Sequence, residues 1–121
     1  MKSGYNRAIR EKSNFKEEHK MSTVHITKEN FNSEVLESKS PVLVDFFASW
    51  CGPCRMLAPT LEKIAAENPK IKVCKIDIDE QPELASEYRI MSVPTLLVFK
   101  EGEVTESSLG VLPEKKILAM L

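Results

Sequence analysis

The sequence predicts an α/β fold, with a mixed central sheet of about five strands flanked on both faces by about four helices. Three observations lead there. Strand-like and helix-period stretches follow one another in the order β-α-β-α-β-α-β-β-α. The segment PVLVDFFASW (41–50) carries a near-continuous apolar run, which suits a central parallel strand buried on both faces. Glu101-Gly102 forms a tight turn between two strand-like segments, so one strand pair is a hairpin.

Each element has its own signal. TVHIT (23–27) alternates polar and apolar residues and reads as a short edge strand. A helix follows, with Phe31, Val35 and Leu36 on one face; Thr27 and Asn30 make a partial capping pattern, and Lys39-Ser40-Pro41 ends it. After the buried strand, residues 51–54 turn into a helix with Pro53 in its first turn. Leu57, Leu61, Ile64 and Ala65 recur at helical spacing, Pro59 predicts a kink, and Asn68-Pro69 ends the run. KVCKIDID (72–79) is a strand, QPELASEYRI (81–90) a short helix, and TLLVFK (95–100) a strand. EVTESSLG (103–110) is its hairpin partner, and PEKKILAML (113–121) closes as a helix.

The chain of 121 residues is long enough for one domain with a real core. Apolar residues make up 42% and charged residues 29%, and the net charge is -1. No strong field invites nucleic acid or an anionic membrane. No apolar run reaches membrane-spanning length, about 18 residues or more. The first twenty residues hold six basic and three acidic side chains with no apolar stretch, so they read as a flexible N-terminal extension (1–20) rather than a secretory signal. The domain is then 21–121, and Met21 is an alternative start. Four glycines form neither a Walker loop nor a G-x-G-x-x-G turn, so no nucleotide cofactor is expected. Two histidines and three cysteines lack the spacing of a four-ligand zinc site, so no metal is expected either. An odd number of cysteines fits a reducing cytoplasm better than a secreted protein.

The sharpest feature is Trp50-Cys51-Gly52-Pro53-Cys54, set between a buried strand and a helix start. A helix N-terminus presents unpaired N–H groups and a partial positive charge, so a thiolate placed there is stabilised. Cys51 lies just outside the helix, where it is most exposed, and is the candidate nucleophile. Cys54 lies one turn in, more shielded, and is the candidate resolving thiol. Attack by Cys51 on a substrate disulfide gives a mixed disulfide, which Cys54 then resolves. Half a zinc site or two inert packed thiols are the plainer alternatives for a C-x-x-C pair. Asp45 interrupts an apolar strand; unpaired and buried, its carboxyl would be held neutral to higher pH, whereas a salt-bridged structural aspartate would not. Lys75 interrupts the next strand in the same way, or is an ordinary edge lysine.

WCGPC, the preceding VDFFASW, Pro59, KIDID, SVPT, the FKEGE hairpin and the glycine of SLG occur together and in order. From Val24 to Leu121 the chain resembles the thioredoxin family. The resemblance implies a thioredoxin fold and a protein-disulfide reductase whose redox-active disulfide is Cys51–Cys54. It implies proton transfer by Asp45, tuned by Lys75. It implies a cis bond before Pro94 and substrate docking on Trp50, Gly52, Pro53, Val93, Pro94 and Gly110, with Val111 alongside. A trans strand-start proline and a core tryptophan are the plainer readings of Pro94 and Trp50. The implied partners are disulfide-containing proteins and an NADPH-dependent thioredoxin reductase as electron donor, with the protein itself a monomer without cofactor. Oxidising relatives commonly carry His within the motif, and its absence here points toward reduction. Many relatives have a second tryptophan where this chain has Phe47, so the indole hydrogen bond is lost there. Cys74 lies outside the motif and reads as a buried core thiol. The alternative function is a thioredoxin-fold binding or specificity subunit, for which the cysteine pair would be incidental.

Overall fold

The long apolar run becomes the middle of the sheet. Strand β2 (Val42–Phe47) is buried from Val42 to Phe46, as a strand covered on both faces must be. It pairs in parallel with β3 (Lys72–Asp77) and antiparallel with β4 (Thr95–Lys100), so it has one parallel neighbour rather than two. Strand β1 (Thr23–His25) adds a parallel edge beside β3. Strand β5 (Glu103–Leu109) adds an antiparallel edge beside β4, which completes the order β1-β3-β2-β4-β5. A computed structural model describes residues 22–121; the extension expected at 1–20 lies outside the described residues.

Alternation along the strands separates two cores. Val42, Val44 and Phe46 of β2 join Cys74, Ile76, Leu97 and Phe99 on one face. That face is covered by α1 (Asn32–Leu36) and α3 (Pro82–Glu87), which bring Val35 and Leu84. Leu43, Val73, Leu96 and Val98 point to the other face. There α2 (Gly52–Glu67) contributes Leu57, Leu61 and Ile64, and α4 (Glu114–Met120) contributes Ile117. Each fully buried Leu or Ile of this kind stabilises the fold by about 2 kcal/mol. Asp45, two residues on from Leu43, shares the α2 face.

Some elements differ in detail from the expectation and others match it. The first helix is a short, wide turn, with the Glu37 N–H donating to the Asn32 carbonyl five residues back at 2.9 Å. The expected Thr27–Asn30 contact closes a turn ahead of it: Asn30 Oδ1 accepts from the Thr27 N–H at 2.7 Å, and Thr27 Oγ1 from the Glu29 N–H at 3.2 Å, while the helix's own N-cap, Phe31, makes no side-chain cap bond. Strand β3 stops at Asp77 instead of continuing to Asp79. The Asp77 side chain is the reason: Oδ1 accepts from the Asp79 N–H at 2.8 Å and the Glu80 N–H at 3.3 Å, which turns the chain toward α3. Helix α2 continues through Pro59, whose missing N–H removes one rung of the ladder. In the β4–β5 hairpin, Glu101 and Gly102 both have positive φ (52° and 84°), as a type I′ turn requires.

Cys74 is fully buried between β1 and β2, and that burial pushes its thiol up to about 12. It is a core thiol with no route to a partner. In the reduced native protein, alkylation followed by mass spectrometry is expected to leave Cys74 unlabelled until the protein unfolds. Rapid native labelling of Cys74 would contradict its placement.

Candidate active site

The end of β2 delivers the chain to the cysteine pair. Ala48, Ser49 and Trp50 form the turn, and the Cys51 N–H donates back to the Ala48 carbonyl at 3.2 Å. Cys51 has extended backbone (φ -92°, ψ 113°) and caps α2. Its Sγ accepts the Cys54 N–H at 3.1 Å, so a sulfur takes the place of the usual capping oxygen. Pro53 occupies the first turn, where a missing N–H costs nothing. Cys51 and Cys54 are joined as a disulfide, with their Cα atoms 5.3 Å apart. The expected difference in exposure between them is not found: both residues are 4% exposed. Position along the helix separates them instead, since Cys51 receives the amide and Cys54 supplies it.

A second loop closes on the pair. The Val93 carbonyl oxygen lies 3.7 Å from Cys51 Sγ, and the Val93–Pro94 bond is cis. Thr95 Oγ1 donates to the Ser92 carbonyl at 2.7 Å, which ties this loop to the head of β4. The Gly110 N–H donates to the Pro94 carbonyl at 2.8 Å, and Gly110 holds φ of 83°, a conformation that favours glycine. Val93 is half-buried, while Pro53 and Val111 are exposed. Trp50 is no core residue: it is 65% exposed, and its indole N–H donates to Asp79 Oδ2 at 2.8 Å. The dithiol, the Val93–Pro94 turn and Gly110 therefore meet in one place, with Trp50 standing open beside Cys51.

The family profile described as Thioredoxin matches residues 22–121. The chain belongs to the thioredoxin family. It is 49% identical over 90 residues to Thioredoxin 1 of Synechococcus elongatus, covering 74% of this chain and 84% of that one. Thioredoxin of Rickettsia felis is 47% identical over 95 residues, covering 78% and 90%. Thioredoxin of Pyropia yezoensis is 45% identical over 102 residues, covering 84% and 95%. As a member of this family the protein is a protein-disulfide reductase, exchanging dithiol for disulfide at its redox-active Cys-Gly-Pro-Cys pair.

Asp45 lies in β2 on the face that α2 covers. It is 0% exposed, and neither carboxyl oxygen has a hydrogen-bond partner. The salt-bridged alternative fails, because among the described residues no ion pair reaches it. Burial pushes the carboxyl up to about 7, against the opposing pull of the Lys75 ammonium. Lys75 is the register partner of Asp45 and half-buried, so it is not an ordinary edge lysine. Its ammonium sits 4.6 Å from the centre of the Phe47 ring. Phe47, Ser49, Cys54, Arg55, Ala58 and Lys75 line a cleft of about 260 Å³ on this side of the pair. Among the described residues no three His, Cys, Asp or Glu side chains converge on a metal-sized site.

Sequence reasoning missed two features here. Asp79 was hidden inside an apparent strand, although its position as the second acid of KIDID was a signal. Met91, 92% exposed beside the Val93–Pro94 turn, carried no periodicity to mark it.

The raised Asp45 carboxyl has a consequence for stability. The folded state holds a proton that the unfolded chain releases above about pH 4, so this group's favourable contribution is complete below that and declines until about pH 7. The full swing is about 4 kcal/mol. In denaturant unfolding, Asp45→Asn is expected to gain stability relative to the parent as pH rises across this window. A difference between the two proteins that does not change with pH would contradict it.

Proposed function

We propose that this protein runs in the reducing direction, with Cys51 as the attacking thiolate and Cys54 as the resolving thiol. The observation that carries the assignment is the Cys54 N–H directed at Cys51 Sγ on the N-terminus of α2. A thiolate at Cys51 accepts that hydrogen bond and sits at the positive end of the helix dipole. It attacks a substrate disulfide, forming a mixed disulfide and releasing one substrate thiolate. Cys54, once deprotonated, attacks the Cys51 sulfur, which closes the Cys51–Cys54 disulfide and releases the second substrate thiolate. Two electrons pass from the protein to the substrate.

Asp45 accepts the Cys54 proton, and its neutral-range carboxyl is suited to that task. Lys75, its register partner, tunes it. Trp50, Gly52, Pro53, Val93, Pro94 and Gly110 form the docking surface; the Val93 backbone pairs with an extended stretch of substrate beside its cysteine. The Gly-Pro spacer lacks the histidine that makes oxidising relatives stronger oxidants, which supports reduction. Electrons then come from a thioredoxin reductase that uses NADPH, and the substrates are disulfide-containing proteins. We assign the protein to the cytoplasm as a monomer, with 21–121 as its domain and 1–20 as an extension; the free thiol of Cys74 supports a reducing compartment. Among the described residues no helix is long and apolar enough to cross a membrane.

Insulin-disulfide reduction tests the roles. Cys51→Ser is expected to fall to the rate of the dithiothreitol blank. Cys54→Ser is expected to accumulate mixed disulfides with many proteins. A Cys51→Ser variant as active as the parent would remove Cys51 as nucleophile, and one non-covalent partner indifferent to both cysteines would mark a binding subunit instead.

A further inference from the structure

Lys75 is placed oddly for a cation. Its register puts it directly across from Asp45, and side chains paired in a parallel ladder share a face. A four-carbon stem can reach a neighbouring carboxyl, and Asp45 is buried with both oxygens unpartnered. Yet among the described residues no ion pair joins them. The ammonium lies instead 4.6 Å from the centre of the Phe47 ring. Phe47 follows Asp45 by two residues in β2, so its ring stands on the same face, one step toward the cysteines. The π face of a ring attracts a cation electrostatically. His25 braces that ring from β1, meeting it edge-on at 6.2 Å and 88°.

We propose that Phe47 is a positioning residue, whose ring holds the Lys75 ammonium off the Asp45 carboxyl and so limits the positive field that the carboxyl feels. The neighbouring elements supply no substitute. Strand β4 sets the apolar Leu96 opposite Asp45. Helix α2 brings Cys54 and Arg55, but the guanidinium of Arg55 donates to the Ser49 carbonyl at 2.8 Å. From β1, His25 lies beyond Lys75 in register. Lys75 is thus the charge that bears on Asp45, and Phe47 decides where it rests. The contact needs a π face and no indole N–H, so phenylalanine suffices at this position.

The proposal deepens the reading of Asp45 as a proton-transfer group, and its test separates the two. The probe is the carboxyl carbon resonance of Asp45 in the full-length oxidised protein, followed against pH. Phe47→Leu keeps an apolar side chain and removes the ring; the freed ammonium moves to the carboxylate, and the Asp45 midpoint is expected to fall by about one pH unit. Phe47→Trp retains a π face and is expected to keep the parent midpoint, which also guards against a leucine variant that fails to fold. In a Lys75→Met background, Phe47→Leu is expected to cause no further fall. An unchanged midpoint in Phe47→Leu, the same fall in Phe47→Trp, or the same fall without Lys75 would each overturn the proposal. A midpoint that moves while the pH profile of disulfide exchange stays put supports the positioning role of Phe47 and removes Asp45 from proton transfer.

Discussion

Helix α2 starts on a sulfur atom, and the site depends on that. The Cys54 N–H that would otherwise need a capping oxygen is directed at Cys51 Sγ. The same contact serves both oxidation states in different ways. In the disulfide it closes the ring at the head of the helix. In a thiolate it becomes a charge-assisted hydrogen bond, worth about 1.5–3 kcal/mol, with the helix dipole adding up to about 2 kcal/mol. Together these favour the charged sulfur. The apolar stripe of α2 (Leu57, Leu61 and Ile64) packs into the sheet core and keeps that N-terminus where β2 ends. Rigid placement of the helix and the cap that Cys51 Sγ gives it are therefore one requirement.

The register of β2 with β3 is the second constraint. It sets Asp45 against Lys75 and Phe47 against Asp77. From there the Ile78 N–H still donates to the Phe47 carbonyl at 2.9 Å, and the Asp77 side chain then turns the chain. Asp79 emerges beside Trp50 as a result. The two aspartates thus end in opposite environments. Asp45 is sealed in the core and biased toward its neutral form, whereas Asp79 is exposed and holds the indole by a hydrogen bond. A slip of one residue in this ladder would move Asp45 to the α1/α3 face, away from α2.

Much of this was legible in the sequence because it is local or periodic. The β2 run, the Glu101-Gly102 hairpin, the Thr27/Asn30 turn and the C-x-x-C pair at a helix start all lie within short windows. Burial of Asp45 followed from an acid inside an apolar strand. What escaped were contacts between distant positions and their consequences for exposure. The Trp50–Asp79 hydrogen bond spans 29 residues, and Lys75 lying over Phe47 instead of pairing with Asp45 is a choice between two neighbours that spacing does not reveal. The equal burial of Cys51 and Cys54 arises because the Val93–Pro94 loop, some forty residues on, closes against Cys51. The end of β3 at Asp77 was hidden because a side-chain turn replaced a strand that propensity favoured.

The central claim is that the start of α2 holds a thiolate at Cys51. Following thiolate absorbance against pH in the reduced protein, with Cys54→Ser to isolate Cys51, tests it most directly. The account requires Cys51 to titrate at least one unit below the ordinary cysteine value of about 8.5. A Cys51 that titrates at or above that value would contradict it.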